Sequence, residues 1–127
     1  MELIVNGQRC RLLSTGTPAS SSGRIPLLLV HGAANDRDAW RTVIAQLAAS
    51  NQYVLAPDLP GHGLSTAAPL ASIEELADWL VALLDAADIE KAVIAGHSMG
   101  SLVALECAAH HAQRVCGLGL LGSSAPM

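Results

Sequence analysis

The sequence predicts a doubly wound α/β fold, a mostly parallel sheet with helices on both faces. Three observations carry this. Short unbroken aliphatic runs (Leu27 to Val30, Tyr53 to Ala56, Ala92 to Ala95) read as strands buried on both faces. Stretches between them repeat apolar residues at the 3.6-residue helical period. Glycine- or proline-rich segments follow the strands at His31-Gly32, Pro57 to Ser65 and Gly96 to Gly100. Folds of this class place their working loops there, at the C-terminal ends of the strands.

Leu3 to Asn6 and Arg9 to Leu13 read as a hairpin, because Asn6-Gly7 is the dipeptide a type I′ turn favours. Ser14 to Arg24 is a loop within the domain, rich in Ser, Thr and Gly. Pro26 to Val30 is a central strand. A helix capped near Asp36 then places Trp40, Val43, Ile44, Leu47 and Ala48 on one face. Tyr53 to Ala56 is the next strand. Ser72-Ile73-Glu74-Glu75 is a capping box, and Ile73, Leu76, Leu80, Leu83, Leu84 and Ala87 form the buried stripe of its helix. Lys91 to Ala95 is a strand, followed by a helix with Met99, Leu102, Val103 and Ala109 at helical spacing. Val115 to Leu121 reads as the last strand.

With 51% hydrophobic residues and only three aromatics, the core is built of Leu, Val, Ile and Ala. The 127 residues suffice for one domain. A net charge of −4 offers no basic face, which argues against nucleic acid and anionic membranes as partners. Cys10, Cys107 and Cys116 show no metal-ligand spacing and read as small buried hydrophobes in a reducing compartment. The N-terminus lacks the charge and apolar run of a signal peptide, so a cytoplasmic location is expected.

The chemistry centres on Gly96-His97-Ser98-Met99-Gly100. A tight strand-to-helix turn lifts a serine hydroxyl out of a sheet and aims the free N–H groups of the new helix at the reacting centre. Such a turn needs small neighbours, which Gly96 and Gly100 supply. The order and spacing of His31-Gly32, Asp58-Leu59-Pro60-Gly61-His62-Gly63-Leu64-Ser65 and Gly96 to Gly100 resemble the α/β-hydrolase fold superfamily. The likeness covers nearly the whole chain and corresponds to the N-terminal half of a member.

That resemblance implies Ser98 as nucleophile, with oxyanion-hole donors from the backbone N–H groups of Met99 and Ala33. Met99 is also placed to line an acyl pocket. It implies that His31 shapes the oxyanion loop, that Asp58 ties its turn through its carboxylate, and that Asp58 and His62 are architectural. His97 is expected to face away from Ser98 and pack beside the sheet, with His110 and His111 on the wrong side of it. Asp85, Asp88 and Glu90 are read as solvating a helix end. Neither metal nor organic cofactor is implied, and the expected partner is a small-molecule acyl substrate.

The triad order in this family is Ser, then an acid, then His. After Ser98 only Glu106, His110 and His111 follow, all in or beside the elbow helix. The expectation is therefore the N-terminal portion of a longer hydrolase, with Val115 to Leu121 an exposed apolar edge and little or no turnover from this chain alone. The expected reaction is hydrolysis of carboxylic esters or related acyl compounds. C–C hydrolysis, acyl transfer, thioester hydrolysis and perhydrolysis stay open within the fold, while Met99 in place of Trp, and Ser98 in place of Asp, speak against a haloalkane dehalogenase. A rival class is a non-catalytic binding module, or a half-enzyme completed by another chain.

Overall fold

A computed structural model describes residues 2–16, 25–32, 40–47, 50–60 and 72–121. The chain runs β1 (Glu2–Val5), β2 (Gln8–Thr15), β3 (Leu27–Val30), α1 (Arg41–Leu47), β4 (Val54–Pro57), α2 (Ile73–Ala86), β5 (Ala92–His97), α3 (Met99–His110), a single 3₁₀ turn (Ala112–Arg114) and β6 (Val115–Leu121). The six strands form one sheet in the order β1-β2-β4-β3-β5-β6. β1, β2 and β4 pair antiparallel, and β4, β3, β5 and β6 pair parallel. Right-handed strand–helix–strand crossovers favour this arrangement and leave β3 in the middle.

The β1–β2 turn is the one expected, with Asn6 at φ 52° and Gly7 at φ 79°, both positive as a type I′ turn requires. Strand alternation then sorts the core into two layers. Cys10, Leu12, Leu28, Val30, Leu55 and Ile94 point to one face and meet α2 and α3. Leu29, Val54 and Ala56 point to the other and meet Trp40 and Ile44 beside α1. Helices therefore cover both faces.

Ser72 caps α2 through its Oγ, which accepts the Glu75 N–H at 3.0 Å and donates to the Glu75 carboxylate at 3.3 Å. The buried face of α2 includes Ala77 and Trp79 beside Leu76, Leu80, Leu83 and Leu84, whereas Ile73 and Ala87 sit half-buried at the ends. On α1 the contact stripe narrows to Trp40, Ile44 and Leu47, and Val43 turns outward. The spacing i, i+4, i+7 is all that a seven-residue helix needs to touch the sheet. Asp36 and Ala48 lie outside the described residues.

The inward face of α3 differs from the one the leucines suggest. Gly100, Ser101, Val103, Ala104 and Cys107 are buried, whereas Leu102 and Leu105 are exposed. Small side chains let the helix sit close to the strands, and its large ones are turned out beyond them. Cys10 and Cys107 are buried as expected, but Cys116 is exposed. The pairing of β5 with β6 skips from Ala92–Val115 to Val93–Gly117, so Cys116 is the extra residue of a bulge. β6 is an open edge, and Leu118 and Leu120 on it are 40% and 42% exposed.

Candidate active site

The sheet brings the ends of β3, β4 and β5 side by side, because β3 pairs with both others. His31 and Gly32 leave β3, Asp58 to Pro60 leave β4, and Ser98 leaves β5. Three segments far apart in sequence thus meet at one edge of the sheet.

Ser98 has φ 56° and ψ −120°, a conformation an L-residue adopts at a cost of about 1–3 kcal/mol. Its side chain is exposed and makes no cap bond to α3, although serine usually caps a helix it precedes. The hydroxyl is therefore presented outward rather than folded back onto the backbone. Close approach explains the flanking glycines. A Cβ on Gly96 would overlap the Gly100 carbonyl, and a Cβ on Gly100 would overlap the carbonyl of Val30. Glycine at these two positions lets α3 start directly against β3 and β5. Met99 opens α3, half-buried, and the N–H of a first helical residue has no acceptor within its helix.

His31 is fully buried, with both ring nitrogens engaged by backbone. Nδ1–H donates to the Gly32 carbonyl at 2.7 Å, and Nε2 accepts the Leu59 N–H at 3.0 Å. The two partners fix a neutral tautomer that ties the β3 exit to the β4 exit. A base for Ser98 is not available from that ring. Asp58 is buried too; its N–H donates to the Arg11 carbonyl, and the Cys10 thiol donates to its carbonyl oxygen.

The remaining described histidines lie elsewhere. His97 is exposed and meets the edge of Trp40, with ring centroids 6.4 Å apart. His110 pairs with Glu106 at 2.9 Å, and His111 with Asp78 at 2.7 Å. Both border a cleft of about 380 Å³ between α2 and α3, lined also by Glu74 and Ala77. Its nearest lining residue on α3, Glu106, lies two turns of helix from Ser98, roughly 12 Å along the axis. Among the described residues the Ser98 hydroxyl has no hydrogen-bonded histidine. Ala33 and His62 lie outside the described residues.

Asp85, expected only to solvate a helix end, accepts from Arg114 at 2.7 Å. Arg114 also donates to the Glu90 and Ile89 carbonyls, fastening the α2–β5 turn to the start of β6. Sequence reasoning passed over Ser101, whose buried hydroxyl donates to the Ser98 carbonyl at 2.5 Å. A serine three residues after a turn carbonyl is the available signal, since serine bonds back to that position in helices.

This geometry, an exposed serine in a strained strand-to-helix turn at the C-terminal edge of a parallel sheet, defines an α/β protein with an elbow-type turn. The family described as alpha/beta hydrolase fold matches residues 25–127, and the chain belongs to it. It is 42% identical over 121 residues to the dihydrolipoyllysine-residue acetyltransferase component of the acetoin cleaving system of Pseudomonas putida, covering 94% of this chain and 31% of that protein. It is 36% identical over 128 residues to 2-hydroxymuconate semialdehyde hydrolase from Pseudomonas sp. (strain CF600), covering 97% of this chain and 43% of that one. The structure of a thermophilic esterase from Thermogutta terrifontis superposes with a TM-score of 0.80 at 32% identity, covering 94% of this chain and 44% of the esterase. The chain thus spans less than half the length of each of these relatives.

Proposed function

We propose that this chain carries the nucleophile and the oxyanion-stabilising half of a serine hydrolase acting on carboxylic esters or related acyl compounds. The observation that carries this reading is the outward, strained Ser98 at the head of α3. Ser98 Oγ attacks the acyl carbon and gives up its proton to a base. The resulting oxyanion lies against the N–H groups of Met99 and Ala33, and its collapse expels the alcohol. Water then releases the acid from Ser98. A single hydrogen-bond donor in such a hole typically lowers the barrier by about 3 kcal/mol. Because both donors are main-chain, the side chains at 33 and 99 are free to shape the acyl pocket.

In this reading the base and its orienting acid come from outside these 127 residues. The chain alone then gives no Ser98-dependent ester turnover, and a measurable one would place a base within it. The discriminating experiment is fluorophosphonate labelling with imidazole added as an external base. Phosphonylation mapped to Ser98, and absent from Ser98→Ala, supports the proposal. Labelling that is absent or unchanged by that substitution sinks it, and favours a binding module that meets its partner through the open β6 edge with Leu118 and Leu120.

A further inference from the structure

Among the described residues, the Ser98 carbonyl accepts from both the N–H and the hydroxyl of Ser101. Ser101 N–H reaches it at 2.9 Å and Ser101 Oγ at 2.5 Å. Ser101 is fully buried, so its hydroxyl depends on a protein partner, and it finds one on the elbow. A serine bonding back to the carbonyl three residues earlier is an ordinary helix feature. What differs here is the acceptor. Ser98 has φ 56°, where the other serine N-cap, Ser72, has the ordinary extended φ of −135°, and its peptide to Met99 joins the strained turn to the first residue of α3. A trans peptide is planar, with its C=O and N–H on opposite sides. Holding the Ser98 carbonyl down onto α3 therefore turns the Met99 N–H up, away from the helix and toward the space above Ser98.

We propose that Ser101 is a positioning residue whose buried hydroxyl locks the Ser98–Met99 peptide with the Met99 N–H facing the reacting centre. Without that hydroxyl the carbonyl keeps only main-chain donors of α3, and rotation of the peptide through ψ of Ser98 and φ of Met99 becomes easier. A rotated peptide presents a carbonyl where a developing negative charge needs a donor. Catalytic meaning for this lock rests on Ser98 being the nucleophile; the conformational lock itself does not.

The test is nuclear magnetic resonance of the ¹⁵N-labelled chain and its S101A and S101C variants, with melting temperature followed in parallel. Cysteine keeps the shape of serine but donates weakly. The expected result is a single sharp Met99 amide in the parent. Millisecond exchange or a displaced Met99 resonance is expected in S101A, and an intermediate response in S101C, while resonances from β3 and β4 stay in place. A Met99 amide unchanged in both variants overturns the proposal. If S101A does not fold, the comparison of the parent with S101C decides. Imidazole-assisted fluorophosphonate labelling separates the two readings. A Met99 response with labelling of Ser98 slowed about 10- to 100-fold in S101A supports both. A Met99 response with no labelling even in the parent retains the lock and overturns the nucleophile. Labelling at the parent rate in S101A overturns the positioning role while leaving the nucleophile standing.

Discussion

Ser98, the nucleophile in the proposed function, sits in a backbone geometry that suits glycine. The strain is local, so removing the Cβ releases it. Ser98→Gly is expected to be more stable than Ser98→Ala by about 1 kcal/mol, read from urea unfolding of the two variants. His31 presents the reverse case, a side chain that stabilises by joining two loops. His31→Ala strands the Leu59 N–H and the Gly32 carbonyl of these bonds, and about 2–4 kcal/mol of unfolding free energy is expected to go with them. The cysteines divide by environment. Burial pushes the Cys107 thiol up to about 11, with Asp78 adding to the rise and Arg114 opposing it. At pH 8 only about one Cys107 in a thousand is then thiolate. Iodoacetamide at that pH is expected to modify Cys116 in the folded chain, and all three cysteines only after denaturation, as counted by intact mass. Ser98 and its two glycines were legible in the sequence because the elbow is a local pattern. Cys116 was not, since a bulge is set by pairing with another strand. Ser101 offered only its spacing, three residues after the turn carbonyl, and that spacing gains meaning once the acceptor at Ser98 is seen.

The helices show how far periodicity carries. Ser72 and Glu75 announced the start of α2, and the cap is formed. Ser72→Ala is expected to cost about 1 kcal/mol, seen as a lowered urea midpoint with unchanged slope. α3 misled because a pattern of large apolar residues marks a buried face only when the helix packs through large residues. This one packs through Gly100, Ala104 and Cys107, so closeness to the sheet decides its orientation. Arg114 works between elements, where no sequence period reaches. Its bond to the well-exposed Asp85 carboxylate contributes little in water, so most of its effect comes from the Glu90 and Ile89 carbonyls. Arg114→Ala is expected to lower stability by about 1–2 kcal/mol, and Asp85→Ala by under about 1.

For the molecule as a whole, the doubly wound class and the order of its working loops followed from strand–helix alternation, and the sheet has that form. The antiparallel attachment of the hairpin through β2 to β4 was not readable, because it joins strands about 40 residues apart. No helix among the described residues is long and apolar enough to cross a membrane. Among the described residues, exposed apolar side chains include Leu118 and Leu120 on β6 and Leu102 and Leu105 on α3, besides Ile4, Ile25 and Val43 elsewhere. Open edges with such neighbours promote association. L118K/L120K is expected to reduce concentration-dependent light scattering and dye binding without loss of the far-ultraviolet spectrum.

The central position of β3 also sets a clock. Its partners β4 and β5 arrive on either side across long sequence separations, and such pairings form slowly. The edge of the sheet that holds Gly100, two residues after Ser98, against the carbonyls of Val30 and His31 is complete only when all three strands have met. Reactivity at Ser98, followed after dilution from denaturant, should therefore lag behind the recovery of helix and rise with the last phase of refolding.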